Sequence, residues 1–312
     1  MRGGRRGFPV LAAVLLGAGL LLTACGEPPP RPVPLADLHG ARYVVAGGPT
    51  DELVLLCHLA VAVLQAAGAE AAEQCGKLGA VDVRLPERSS VDLGWAYVGR
   101  ADRDLDGRPD PPAPFAEIAR ADATRGVTWL APTAFTDTDV LVVSGAVAAS
   151  GMRTISDLAA ARGVTVCAPP GAADDPRGLG GVLATYGLDP AAVRPVDPGA
   201  VLTGTTRGSC TAGLVPGTSG RIPALGLVAL VDDRGGFGRG PDGRPGSGRG
   251  GAAPVLRTDV YAAHPQVAVV LGALTARLTD DVIRELDRRI TVEGRDARDV
   301  ARGWARDVGL TP

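Results

Sequence analysis

From residue 42 onward, short apolar runs alternate with stretches whose apolar residues recur at helical spacing. A chain patterned in this way buries both kinds of element by placing its strands in a sheet and covering the sheet with helices, an α/β fold. Residues 42–46 form the first predicted strand. Thr50 then stands as a helix N-cap, and Asp51 and Glu52 suit the positive end of the helix dipole. Leu53, Leu56, Cys57, Ala60, Val61 and Leu64 keep one face apolar until Gly68 ends the helix. Thr154 with Asp157 predicts a capped short helix ending at Gly163, followed by a strand at 164–168. A helix is predicted at 177–186, and strands at 212–215 and 225–231 flank a turn-rich bend at 216–220. From Pro265 the tail is helical, with Thr279 capping 280–290 and an amphipathic segment at 296–308. Residues 234–251 are so rich in glycine that ordering them without a partner costs too much entropy, and they read as a mobile surface loop.

The amino terminus sets the compartment. Arg2, Arg5 and Arg6 form a basic head, residues 8–22 an uncharged apolar run, and two small residues precede Cys25. That order is a secretory signal. Its apolar run of about fifteen residues is short of the roughly twenty that a spanning helix needs. The ending Leu22-Thr23-Ala24-Cys25 resembles a bacterial lipoprotein signal, which implies removal of residues 1–24 and acylation of Cys25. At about 0.8 kcal/mol per buried methylene, two or three acyl chains hold a protein on a membrane. Residues 25–39 carry Pro28, Pro29, Pro30, Pro32 and Pro34 and read as an extended stalk. The protein is therefore expected outside the cytoplasm, lipid-anchored to the cell membrane. No later apolar stretch reaches membrane length, and a net charge of -2 without a basic stripe gives nucleic acid no electrostatic footprint.

In an oxidising compartment Cys57, Cys75, Cys167 and Cys210 are left to pair in one of three ways, or to remain as buried thiols. Zinc is disfavoured, because no two cysteines are two to four residues apart and His39, His58 and His264 are dispersed. Asp102, Asp104, Asp106, Gly107 and Asp110 match the front half of an EF-hand loop, but its twelfth position is Ala113 in place of a bidentate glutamate. A structural calcium bound by other means or a plain Asp/Gly turn remains, and no other cofactor is expected. Catalysis finds no phosphate loop and no nucleophile elbow, since Gly217-Thr218-Ser219-Gly220 fails the spacing. His58 and His264 read as structural, so the chain is not read as an enzyme.

Several stretches, in order, resemble the substrate-binding lipoproteins of glycine betaine/choline (osmoprotectant) ABC importers. Thr50-Asp51-Glu52-Leu53-Val54-Leu55 is similar to that family's TEQLIL opening, and Val91-Asp92-Leu93-Gly94-Trp95-Ala96-Tyr97-Val98-Gly99 to its DLYPEYTG segment. Thr128-Trp129-Leu130-Ala131-Pro132, then Thr136-Asp137-Thr138-Asp139-Val140-Leu141, resembles its WL-P…NNTYAL crossing. The match continues through Thr154–Ala159, Tyr186-Gly187-Leu188, Gly220-Arg221-Ile222 and Leu230-Val231-Asp232-Asp233. The resemblance implies a two-lobed, type II periplasmic-binding-protein (Venus-flytrap) fold, each lobe a sheet flanked by helices. Residues 40–132 and 222–312 would form lobe 1 and residues 133–221 lobe 2. Within those lobes the preferred disulfides are Cys57 with Cys75 and Cys167 with Cys210, since each then lies inside one lobe and leaves hinge closure free. The implied protein is a monomer that closes on a small cationic or zwitterionic solute and delivers it to an ABC permease and its ATPase.

Proteins of this family hold a quaternary ammonium among aromatic rings by cation–π attraction of roughly 0.5 to 2 kcal/mol per ring. The resemblance places Tyr97 in that role, with Trp95 on the same side of an extended segment, Thr50 and Glu52 at the cleft-facing helix start, and Asp139 and Ser219 on the second lobe. Two of these depart from the pattern: Asp139 stands where the family has a tyrosine, and Ser219 where it has an aspartate. Asp139 then supplies negative charge in place of a π face, or the site takes another small polar solute, or the fold serves a non-transport sensor or partner-binding lipoprotein. Each residue also has a plainer role: Trp95 and Tyr97 as core packing, Asp139 as a solvated hinge residue, Thr50 and Glu52 as a helix cap.

Overall fold

The computed structural model describes residues 1, 35–48, 50–77, 90–99, 115–136, 138–238 and 251–312. The signal, Cys25, the stalk up to residue 34, the calcium candidates Asp102, Asp104, Asp106 and Asp110, and residues 239–250 of the glycine-rich segment lie outside the described residues. In chain order the elements are β1 (Arg42–Gly47), α1 (Asp51–Ala66), β2 (Glu70–Cys75), β3 (Leu93–Tyr97), α2 (Phe115–Ala123), β4 (Val127–Trp129), β5 (Asp139–Ser144), α3 (Gly145–Ala149), α4 (Ile155–Ala160), β6 (Val166–Ala168), α5 (Leu179–Tyr186), β7 (Val193–Pro195), α6 (Pro198–Thr206), β8 (Ala212–Pro216), α7 (Arg221–Ala224), β9 (Leu227–Ala229), β10 (Ala252–Arg257), α8 (Thr258–Ala263), α9 (Val267–Thr275), α10 (Asp280–Thr291) and α11 (Ala297–Asp307).

The strands divide between two five-stranded mixed sheets, β2-β1-β3-β10-β4 and β7-β6-β8-β5-β9. Each sheet contains a strand laid antiparallel to both its neighbours: β10 between β3 and β4, and β5 between β8 and β9. Those two are the first strands laid down after each passage of the chain between sheets, so the passages stitch both lobes together.

Helix α1 is buried almost all round, through Leu53, Leu55, Leu56, Leu59, Val61, Val63 and Leu64. The first sheet covers one side, and α9 and α11 cover the other. Burying each such side chain contributes about 1.5–3 kcal/mol, so α1 is the keel of the first lobe. Thr50 caps it as predicted, its hydroxyl oxygen accepting the Leu53 N–H at 3.3 Å. Gly68 ends it at φ 91°, a left-handed conformation that other residues rarely adopt, and β2 returns parallel to β1. Along β3, Leu93, Trp95 and Tyr97 face the α1 core, while Ala96 meets Ile118, Val127 and Trp129 on the opposite face. With both faces covered, the strand shows no polar alternation.

The second lobe repeats the plan. Leu141, Val143, Val166, Ala168, Ala212 and Leu214 pack against Ile155, Leu158, Val182 and Tyr186 on one face of its sheet. Val142, Cys167 and Val215 pack against Val201, Leu202 and Ile222 on the other. The predicted capping box is present, with Thr154 Oγ1 accepting from the Asp157 N–H and Asp157 accepting from the Thr154 N–H. One predicted boundary moves. β9 pairs with β5, and Tyr186 donates to Asp232 at 2.5 Å, so residues 227–237 belong with the second sheet and the chain returns after them, past residue 222.

Cys57 bonds to Cys75 and Cys167 to Cys210, with Cα atoms 5.6 and 5.8 Å apart, each bridge within one lobe. The closed loops of 18 and 43 residues make each bridge worth about 3 and about 4 kcal/mol in the chain-entropy model. Replacing Cys57 and Cys75 together by serine is expected to lower the unfolding free energy in urea titration by about 3 kcal/mol. A loss under about 1 kcal/mol would show that the bridge adds little constraint.

Candidate functional site

Strands β1 and β3 run parallel side by side, but β1 leads through α1 to β2 on one side of the sheet while β3 lies on the other. At such a switch point the connections leave a crevice outside the carboxyl ends of the strands. The start of α1 stands there. Tyr97, the last residue of β3, reaches it: its hydroxyl donates to Glu52 Oε1 at 2.5 Å. Tyr97 is 9% exposed and Glu52 is half-buried. The helix sits this low because β1 ends in glycine, where a Cβ would lie 2.3 Å from the Leu53 carbonyl oxygen and 2.6 Å from Cys57 Cβ.

In the second lobe the matching edge is the carboxyl end of β8 beside the start of β5, where Asp139 lies opposite Pro216. The Gly217 N–H donates to the Thr138 carbonyl at 3.0 Å, and the turn 217–220 leaves this edge to dock on α10. Helix α10 belongs to the first lobe, whose core takes Ile283 and Leu286. Arg284 donates from Nε and Nη2 to the Gly217 carbonyl at 3.1 and 2.9 Å. Asp287 Oδ2 accepts the Gly220 N–H at 2.6 Å. A Cβ at position 220 would stand 2.2 Å from the Arg288 backbone nitrogen, so only glycine permits this approach. The first passage between the lobes is tied to the same helix, for Asp280 Oδ1 accepts the Thr136 N–H at 2.9 Å and its hydroxyl at 3.2 Å.

Burial raises the Asp287 carboxyl above its ordinary range, and the nearby Asp51 raises it further. The start of α1 and the turn-bearing face of α10 therefore share one electrostatic neighbourhood. Asp51, Glu52 and Tyr97 stand on its first-lobe side, and on its second-lobe side the docked turn carries Ser219, with Asp139 opposite Pro216 at the strand end from which the turn leaves.

The predicted site residues thus separate into three groups. Thr50, Glu52 and Tyr97 come together at the start of α1. Asp139 and Ser219, both half-buried, occupy the second-lobe edge, where Ser219 forms the 217–220 turn through its N–H to the Pro216 carbonyl. Trp95 lies on the same side of β3 as Tyr97, as expected, but that side is the α1 core, and at 0% exposure its ring presents no surface to a ligand in this conformation. Sequence reasoning missed Asp280, Arg284 and Asp287, because on α10 they look like the solvated face of an amphipathic helix. Among the described residues, His58, Glu73 and Cys75 cluster at metal-ligand spacing. Their groups are engaged: the Cys75 sulfur in the disulfide, and Glu73 with His58 at 3.1 Å and with Arg298.

Two lobes, each a mixed sheet with its first strand after the crossing laid antiparallel, define the type II periplasmic-binding-protein fold. The fold is similar to that of ligand-free YehZ from Escherichia coli, with a TM-score of 0.71 at 22% identity over 87% of this chain and 99% of that one. It is similar too to a glycine betaine/carnitine/choline ABC transporter structure, with a TM-score of 0.71 at 19% identity over 86% and 99% of the two chains. In sequence, the chain is 29% identical over 293 residues to the glycine-betaine-binding protein of Pseudomonas aeruginosa, spanning 88% of this chain and 91% of that protein. The profile of the OpuAC family, the substrate-binding domain of ABC-type glycine betaine transport systems, matches residues 41–307, and the chain belongs to that family.

Asp287 gives the interlobe contact a pH signature. A carboxyl whose folded value is raised contributes stability below its unfolded value, here near 3.8, and loses it as pH rises through the folded value. Asp287→Asn keeps an acceptor for Gly220 without the charge. The variant's melting temperature relative to wild type is expected to climb as pH rises from about 4 through the raised value. A difference that stays flat across that window would contradict the assignment.

Proposed function

We propose that this protein is a lipid-anchored, extracytoplasmic receptor of an ABC importer that closes on a quaternary-ammonium osmoprotectant such as glycine betaine or choline. Family membership supports the solute-binding role and implies a permease and an ATPase as partners. The relative from Pseudomonas aeruginosa is itself a glycine-betaine-binding protein. The observation that carries the ligand class is the Tyr97–Glu52 hydrogen bond at the start of α1. A quaternary ammonium cannot donate ordinary hydrogen bonds, so a protein recognises it through ring faces and negative charge. By donating a hydrogen bond to the Glu52 carboxylate, Tyr97 is fixed in orientation and gains a neighbouring negative charge that its ring alone would lack.

Asp51, Glu52 and Asp139 place carboxylates at the start of α1 and the second-lobe edge, with Arg221 and Arg284 on the side of the joint with α10. Carboxylates grouped at a cleft draw in a ligand of the opposite charge. This reading also accounts for Asp139 in place of an aromatic: charge contributes more beside a partly buried site than on an open surface. Anchoring rests on the sequence Leu22-Thr23-Ala24-Cys25 that closes the apolar run at 8–22.

Calorimetry of the purified protein against glycine betaine, choline, carnitine and related amines is expected to show micromolar binding, about -8 kcal/mol, for at least one of them. Tyr97→Ala should weaken that binding by roughly 1–2 kcal/mol while the melting curve stays cooperative. Silence across the panel from a folded sample would point to a sensor or partner-binding role on the same fold. For the anchor, Cys25→Ser is expected to move the protein from the membrane fraction to the soluble fraction, and a variant that still sediments with membranes would remove lipidation from the account.

A further inference from the structure

The two disulfides sit in opposite electrostatic surroundings. Cys167 lies on β6 directly opposite Arg194 of the neighbouring strand β7, and Cys210 lies in the turn that leads into β8. The Arg194 guanidinium covers the bridge, with Nη2 2.9 Å from Cys210 Sγ and 3.2 Å from Cys167 Sγ. The same nitrogen is 3.4 Å from Ser209 Oγ, which itself lies 3.9 Å from Cys210 Sγ. The carbonyl end of α6, which would oppose a nearby anion, is partly satisfied, since the Gly204 carbonyl accepts from the Ser209 and Cys210 N–H groups. Around Cys57–Cys75 the neighbours are of the other kind. Cys57 Sγ faces the Val45 carbonyl at 3.6 Å, and Glu73, held between His58 and Arg298, is the charged group beside Cys75.

A neutral disulfide gains little from a guanidinium, whereas a thiolate gains a charge-assisted partner. A cation beside a cysteine lowers its thiol pKa, and a dithiol whose reduced form is stabilised belongs to a more oxidising, more readily reduced couple. We infer that Cys167–Cys210 is a thiol-exchange site, reversibly opened by thiols, with Arg194 stabilising the thiolate that leaves, and that Cys57–Cys75 is the inert structural bridge. In the first step an external thiolate bonds to one sulfur of the pair and the Sγ–Sγ bond breaks, the other cysteine departing as a thiolate that faces Arg194. A second external thiolate attacks the mixed disulfide, releases the remaining cysteine and leaves as the oxidised external disulfide. Two electrons pass from two thiols to the bridge, and the protons the thiols lose go to solvent or to the new cysteine thiols. Both sulfurs are buried, so access governs the rate, and the equilibrium is the informative quantity.

The full chain is equilibrated at fixed pH in dithiothreitol buffers of stepped reduced-to-oxidised ratio, quenched with acid, alkylated and digested, and the reduced fraction of each pair is read by mass spectrometry. Far-ultraviolet circular dichroism is recorded at every ratio. Cys167–Cys210 is expected to reach half-reduction at the less reducing ratio with the dichroism unchanged. Arg194→Gln should require a ratio about tenfold more reducing, equivalent to about 30 mV for this two-electron couple, and leave Cys57–Cys75 where it was. Arg194→Lys should restore part of the difference. The inference is overturned if Arg194→Gln leaves the Cys167–Cys210 midpoint in place, if it moves both pairs equally, or if the two bridges of the unaltered chain open together as the fold is lost.

Discussion

The docking of the 217–220 turn on α10 holds the two lobes in register. Apart from the two passages of the chain, this contact joins the carboxyl edge of the second sheet to the body of the first. It is built from backbone groups of the turn and side chains of the helix: Arg284 on the Gly217 carbonyl, Asp287 on the Gly220 N–H. The glycine at 220 lets two backbones approach to a distance no other residue allows. Burying the Asp287 carboxyl is unfavourable, as its raised value shows, and the hydrogen bonds from Gly220 and from the Thr291 hydroxyl offset part of that cost. A contact made through directional hydrogen bonds suits a joint that opens and closes, because the groups that part can be rehydrated.

The same helix connects the joint to the proposed ligand site. Asp287 lies within electrostatic reach of Asp51, at the start of α1, and Glu52 of that first turn holds Tyr97. Acidic residues in the first turn of α1 favour the helix dipole on their own account. In the proposed site their second effect is to offer a cationic solute counter-charge beside Tyr97, the part that Asp139 would play on the second-lobe edge. The chain is poor in aromatic residues, at 4% of its length, so recognition that leans on carboxylates is consistent with its composition.

Local features were the most legible in the sequence. The cap at Thr50, the stop at Gly68, the capping box at Thr154 and Asp157 and the helix after Thr279 all rest on interactions within a few residues, and their signals sit side by side in the chain. β2, with the sequence Glu-Ala-Ala-Glu-Gln-Cys, carries no strand signature, and it is a strand because parallel pairing with β1 and the tie to Cys57 place it there. The return passage was misplaced at 222 because the strand after it, β9, is only three residues long and its allegiance is decided by pairing with β5. Tyr97 and Glu52 were singled out through family resemblance and do meet at the start of α1, whereas the burial of Trp95 depends on which face of β3 meets α1, and a fully covered strand does not reveal its faces. The contributions of Asp280, Arg284 and Asp287 depend on contacts across sixty or more residues, which no local pattern encodes.

The central claim is that solute is held where the carboxyl edges of the two sheets converge, with α10 clasping the second-lobe turn beneath it. A crystal structure of the protein grown with a saturating quaternary-ammonium solute tests this most directly. The account predicts the solute between Tyr97 with Glu52 and Asp139, with Gly217 and Gly220 still bonded to Arg284 and Asp287. Solute bound elsewhere on the molecule, or a turn released from α10 while the solute is held, would contradict it.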